Sequence, residues 1–310
     1  VWIEVAEGFT EEQKKEFIVK DNVGFGEWEW DILANEWDSV QLAEWGLDVW
    51  ENLDDKEPEA GLIEDDDIPE AKDNKVVRGE VWALGSHRVM CGDSTKLDDV
   101  EKLMQGKKAD LVFTDPPWNV DYGGAVKENN AQGYKVRQIL NDKMETADFK
   151  EFMCSSFLNM SVNSKDGCPT YVVMSAQEWG NLMLALKDNE YHWSSTIVWN
   201  KDHLVLSRKD YHTKYEPIWY GWKEGAARLC PLKDRKQSDV WDVKRPTRSP
   251  LHPTTKPIDL IEIAINNSSI RDSIVLDLFL GSGSTLIAAE KLKRKCYGME
   301  LDEKYCDVII

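Results

Sequence analysis

Asp115, Pro116, Pro117 and Trp118 follow directly on the apolar run 110–114, and together they could hold a planar amine. Two prolines stiffen the backbone, since each fixes φ and neither can continue a strand ladder. The Asp115 carboxylate and the Pro116 carbonyl can then both accept hydrogen bonds from one exocyclic amine, while Trp118 offers a face on which a planar base can stack. The same tetrapeptide could instead be only a rigid turn that closes a strand.

A second cluster runs Asp277-Leu278-Phe279-Leu280-Gly281-Ser282-Gly283-Ser284-Thr285. It reads as a strand, a glycine turn and a helix start, the place where an open α/β sheet binds its cofactor. Leu286 occupies the third-glycine position of the dinucleotide fingerprint, which argues against NAD or FAD, and no P-loop pattern is present. Glu300 ends the next apolar run, about twenty residues on, where a carboxylate can accept from two ribose hydroxyls.

These residues need a frame. Strand patterns fall at 81–84, 88–91, 110–114, 171–175, 193–199, 216–222, 274–278 and 296–300. Helical patterns lie near 146–163, 177–189, 256–268, 284–294 and 302–310. Strands interleaved with helices predict an α/β fold, a mostly parallel sheet covered on both faces. Upstream, Thr10 followed by Glu-Glu-Gln reads as a helix start, and Trp28, Trp30, Trp37, Trp45 and Trp50 suit a small aromatic core. Residues 51–75 are rich in Asp, Glu and Pro and read as a solvated linker. The expected division is a helical segment at 1–53, a linker at 54–78 and a catalytic domain at 79–310.

The net charge of −19 argues at first against a polyanionic partner, but its distribution is uneven. Residues 1–73 hold 24 acidic against 5 basic side chains, and 200–256 hold 13 basic against 7 acidic. Nucleic acid is therefore not excluded. Arg208, Lys209 and Lys214 fall between two predicted strands, and Arg245 and Arg248 lie before His252; these are the candidate phosphate contacts. The six cysteines lack zinc-ligand spacing, so no metal site is expected and a reduced, cytoplasmic setting is. No apolar run is long enough for a membrane span. His192, His203 and His212 read as structural. The chain opens on Val1 and stops at Ile310 in mid-pattern, as a fragment of a longer polypeptide would.

Taken together, the Asp115–Trp118 and Asp277–Gly283 motifs resemble those of the amino-group DNA methyltransferases that use S-adenosylmethionine. The family usually has Tyr where Trp118 stands. The resemblance implies a Rossmann-like, seven-stranded methyltransferase fold, and it makes Asp115, Pro116, Pro117 and Trp118 the catalytic residues. Asp277, Phe279, Gly281, Gly283, Ser284 and Thr285 match the cofactor loop, and Glu300 the ribose-binding acid. The segment His252-Pro253-Thr254-Thr255-Lys256-Pro257 matches a family segment beside the methionine moiety, which brings in His252, Thr254 and Lys256. Cys91-Gly92-Asp93-Ser94 resembles the strand end whose Asp reaches the adenine of the cofactor. The catalytic motif precedes the cofactor motif, the order of the beta subclass.

Such an enzyme acts on double-stranded DNA, as a monomer or homodimer, with loops such as 119–141 reading the sequence. Asp115 favours N6 of adenine, since related cytosine enzymes more often carry Ser there. N4 of cytosine and a catalytically silent DNA-binding or partition module remain the alternatives. The segment 10–37 resembles the end of a ParB-like module of the kind fused to phage and prophage methyltransferases.

Overall fold

The computed structural model describes residues 9–10, 13–15, 17–18, 75–120, 140–205, 210–232, 236–245 and 255–310. The chain divides into two compact units, 1–56 with 232–237 and 57–231 with 238–310. In the first, the Thr10 hydroxyl accepts from the Gln13 backbone N–H at 3.2 Å, while Gln13 Oε1 accepts from the Thr10 N–H at 2.9 Å. This reciprocal cap is the helix start that Thr10 announces. The five tryptophans at 28–50 and nearly all of the acidic linker lie outside the described residues.

The second unit is built on β1 (Val81–Leu84), β2 (His87–Cys91), β3 (Leu111–Thr114), β4 (Pro169–Val173), β5 (Tyr191–Val205), β6 (Thr213–Lys223), β7 (Val240–Asp242), β8 (Ile274–Asp277) and β9 (Lys295–Glu300). They form one sheet in the order β1-β2-β9-β8-β3-β4-β6-β5-β7. From β2 to β4 all neighbours are parallel, whereas β6 pairs antiparallel with both β4 and β5. The expected seven strands thus become nine. β1 adds an antiparallel edge through a tight turn onto β2, and the three-residue β7, too short to leave a periodic pattern, pairs parallel with β5.

The helices are α1 (Leu97–Met104), α2 (Thr146–Val162), α3 (Trp179–Asp188), α4 (Ile258–Ser268), α5 (Ser284–Lys291) and α6 (Glu303–Ile309). Side chains on a strand alternate between faces, and here each face has its own apolar layer. Val112, Val172, Leu276 and Trp219 join α1, α2 and α3 on one side. Leu111, Phe113, Tyr171, Val275 and Ile218 join α4 and α5 on the other. Strands β3, β4 and β8 are buried along their whole length, as a two-sided parallel sheet requires. Helix α1 has no counterpart in the sequence reading. It buries Val100, Leu103 and Met104 at helical spacing, but its eight residues are too few for a strong periodic signal.

Since β3 and β8 are parallel neighbours, with Leu111 opposite Val275 and Val112 opposite Leu276, Asp115 and Asp277 emerge at the same edge. The chain turns away in opposite directions from this pair, to β9 on one side and β4 on the other. That is the switch point at which α/β sheets bind ligands.

Candidate active site

A cleft of about 700 Å³ opens over the carboxyl ends of β2, β3, β4, β8 and β9, within the 300–1,000 Å³ usual for small-molecule sites. Its floor on one side is the turn after β8. The Asp277 carboxylate accepts from the Thr114 hydroxyl (2.7 Å), the Thr285 hydroxyl (2.7 Å) and the Phe279 N–H (3.0 Å). Burial pushes Asp277 up to about 6. Both of its oxygens are engaged within the protein, where they brace the loop.

Gly281 has φ +56°, and a Cβ there would meet nothing nearer than Phe279 O at 4.0 Å. It therefore leaves backbone open to the cleft. Gly283 differs. It does not line the cleft; it precedes α5 at φ +93°, and a Cβ would meet Ile309 Cγ1 at 3.1 Å. Glu300 closes this side, with Oε2 accepting from the Gly281 N–H (2.8 Å) and Oε1 from the Asp302 N–H (2.9 Å). Burial lifts Glu300 to about 7 in spite of these two donors. Asp93 lines the cleft from the end of β2, where it accepts from the Thr95 hydroxyl at 2.7 Å.

The opposite side holds Asp115–Trp118. The backbone there is tied down by Asp142, whose Oδ1 accepts from the N–H groups of Trp118 (3.0 Å) and Val120 (3.3 Å). The Trp118 indole N–H donates to Asp115 Oδ1 at 3.1 Å. Lys256 Nζ stands 2.6 Å from Asp115 Oδ2, 3.4 Å from Glu216 Oε2 and 4.7 Å from the Trp118 ring centre. Glu216 Oε1 in turn takes Lys201 Nζ at 2.5 Å, and Lys201 lies over the Trp199 ring. Three buried charges, Lys201, Glu216 and Lys256, and the part-buried Asp115 thus alternate and cancel, the condition under which burial of ions is tolerated. Burial raises Asp115 above the usual carboxylate range against the pull of Lys256. Burial would also raise Glu216, but Lys256 and Lys201 outweigh it and hold Glu216 low. Lys256 ends above its ordinary value because Asp115 and Glu216 outweigh its desolvation.

Of the expected site residues, Asp93, Asp115, Pro116, Pro117, Trp118, Lys256, Asp277, Phe279, Gly281, Ser284, Thr285 and Glu300 line this one cleft. His252, Thr254, Arg208, Lys209 and Arg248 lie outside the described residues, as does most of loop 119–141. Lys214 belongs to β6 and not to a loop, because the β5–β6 hairpin extends further than its apolar pattern, and it does not line the cleft. Arg245 does, as does His212. The sequence reading missed Lys201, Glu216 and Asp142. A charged residue inside an apolar strand pattern, as at Glu216, was the available signal. Among the described residues no cluster of His, Cys, Asp or Glu could hold a metal, and no helix is long and apolar enough to cross a membrane.

A family model for N6 and N4 methyltransferases, described as DNA methylase, matches residues 109–310, more than half of the chain. The chain belongs to this DNA methylase family. Its relatives include the type II methyltransferase M2.DpnII of Streptococcus pneumoniae, 25% identical over 66% of this chain and 82% of that protein. M2.MboI of Moraxella bovis is 23% identical over 68% and 82%. The fold is shared with the M1.HpyAVI–S-adenosylmethionine complex, with a TM-score of 0.52 and 20% identity over 71% of this chain and 96% of that one. It is also shared with the cytosine-N4-specific PvuII methyltransferase, with a TM-score of 0.53 and 16% identity over 71% and 84%. This DNA methylase is thus an enzyme that transfers a methyl group, and the M1.HpyAVI structure holds S-adenosylmethionine. The residues fit that cofactor: the open backbone at Gly281, the apolar Phe279 and Leu280, and two carboxylates, Asp93 and Glu300, at neighbouring strand ends.

Proposed function

We propose that this DNA methylase modifies N6 of adenine in double-stranded DNA, and that Asp115, Pro116, Pro117 and Trp118 carry the reaction. The observation behind this reading is that Asp115, directly after β3, and the Gly281 turn, after the adjacent β8, share one cleft at the sheet's carboxyl edge. An amine paired and stacked within a duplex cannot reach such a cleft, so the target nucleotide has to leave the helix. Bound S-adenosylmethionine would supply an electrophilic methyl group, and Asp93, Phe279, Gly281 and Glu300 would hold it. Asp115 Oδ2 and the Pro116 carbonyl would orient the amine and stabilise the positive charge that grows on nitrogen. Trp118 would bear the base on its ring, and its N–H, by holding Oδ1, keeps the carboxylate in one orientation. Proton loss can follow methyl transfer, so no covalent enzyme intermediate is needed.

We read the motif order, catalytic before cofactor, as that of the beta subclass, and residues 10–37 as part of a ParB-like, phage-type module. The reading also places the enzyme in the cytoplasm. Unmethylated genomic DNA incubated with labelled S-adenosylmethionine, then digested to nucleosides, tests the assignment. N6-methyladenine is expected, and at least a 100-fold lower turnover is expected from Asp115→Ala with cofactor binding nearly unchanged. N4-methylcytosine as the product would overturn the choice of base, and near-normal turnover by the variant would overturn the catalytic role.

A further inference from the structure

Both oxygens of Asp115 are already engaged, Oδ1 by the Trp118 indole and Oδ2 by the Lys256 ammonium. Each carboxylate oxygen can accept a second donor, but an amine that donates to Asp115 Oδ2 comes to lie directly beside that ammonium. The indole N–H is part of the ring that lines the cleft, so the ammonium is the group that yields. Yet Lys256 is only 9% exposed and cannot simply withdraw into water. Nor can it remain in contact with a nitrogen that is becoming positive, since like charges in a buried site repel strongly.

A second carboxylate stands ready. Glu216 Oε2 is buried and accepts no hydrogen bond among the described residues, while Lys256 Nζ is 3.4 Å away. A charge-assisted hydrogen bond would close that gap to about 2.8 Å, a movement of well under an ångström for a lysine head group. Glu216 itself is pinned. It lies opposite Trp199 in the β5–β6 ladder, and Lys201 holds its other oxygen. Lys201 also draws on the same carboxylate charge, which leaves Lys256 to Asp115 while no amine is bound.

We propose that Glu216 is a positioning residue for methyl transfer, whose Oε2 takes over the Lys256 ammonium when the substrate amine replaces it on Asp115. This rests on the reading that Asp115 accepts the amine.

Single-turnover methylation, measured beside the dissociation constants of DNA and S-adenosylmethionine, tests it with Glu216→Gln, the double variant Lys201→Met/Glu216→Gln, and Asp115→Ala. Glu216→Gln should lower the single-turnover rate at least about tenfold while both dissociation constants stay within about threefold. The double variant restores charge balance in the cleft and so guards against misfolding of the single one. If Glu216 served only to neutralise Lys201, the double variant would regain the full rate, and the proposal would be overturned. Under the proposal it stays slow, because Lys256 still lacks its second carboxylate. A wild-type rate for Glu216→Gln beside an inactive Asp115→Ala would mean that Lys256 moves elsewhere, to the cofactor for example, and would remove this inference alone. An active Asp115→Ala would remove it together with the reading on which it rests.

Discussion

Affinity for S-adenosylmethionine should rise with pH, because Glu300 starts out half protonated near neutrality. Burial lifts this carboxyl to about 7, against the pull of the Asp302 and Gly281 N–H groups. A ribose hydroxyl that donates to Glu300 favours its ionised form, so binding has to expel the proton. If the bound enzyme keeps Glu300 ionised throughout, the free enzyme's protonation weakens binding about tenfold at pH 6 and hardly at all at pH 8. The dissociation constant should therefore fall about tenfold between those values, with about half a proton released per cofactor at pH 7. Isothermal titration at several pH values, in buffers of different ionisation enthalpy, reads both quantities. Glu300→Gln should weaken binding at pH 8 and remove this component of the pH dependence. Asp277 and Asp115 titrate in both proteins, so the difference between them isolates Glu300. Identical pH dependence in wild type and variant would refute the argument. The same shift acts on folding with the opposite trend. A carboxyl raised from 4.5 to about 7 leaves stability intact below pH 4.5 and lowers it as pH rises to 7, by about 3 kcal/mol. Chemical denaturation of Glu300→Gln should show that slope removed.

Gly281→Val should weaken S-adenosylmethionine binding at least about tenfold, since its Cβ projects into open cleft from a backbone at φ +56°; an unchanged titration curve would exclude backbone contact at this turn. Thr114→Val removes a buried 2.7 Å donor to Asp277 and should cost about 1.5–3 kcal/mol of stability by denaturant unfolding. It should also raise Asp277 further, since that hydrogen bond lowers it. Neutralising Arg208, Lys209, Arg245 and Arg248 should weaken binding to duplex DNA across all sequences and flatten its salt dependence in fluorescence anisotropy. Deleting residues 1–73 should instead keep or strengthen that binding, and a truncated protein that loses DNA while the four-site variant keeps it would move recognition to the N-terminal segment.

Much of the site was legible because it sits at strand ends. An apolar run that stops at Asp115-Pro116-Pro117, another at Asp277 before glycines, and a third at Glu300 carry their own stop signals. Parallel strands put all such ends on one edge. The two apolar layers were legible for a similar reason, since alternation along β3 and β8 assigns each side chain a face once both faces are covered. Local pattern could not reveal the surroundings of Gly283 and Asp277. A glycine in a glycine turn reads the same whether it faces a ligand or, as here, Ile309, and a carboxylate in such a turn reads the same whether its oxygens are free or taken by Thr114 and Thr285.

The types of the candidate site groups, and the edge at which they gather, thus follow from the sequence by itself: a carboxylate before two prolines and a glycine turn after a buried strand keep their chemistry in any arrangement of this class. Only the tertiary structure decided which charges those groups meet. Strand β6 enters antiparallel beside β4, and β5 pairs along its other side, so Glu216 and Lys201 come to stand at the Asp115 cleft with Lys256. Buried ions take their partners from strand order and register, which couple residues far apart in the chain and leave no trace in the spacing around any one of them.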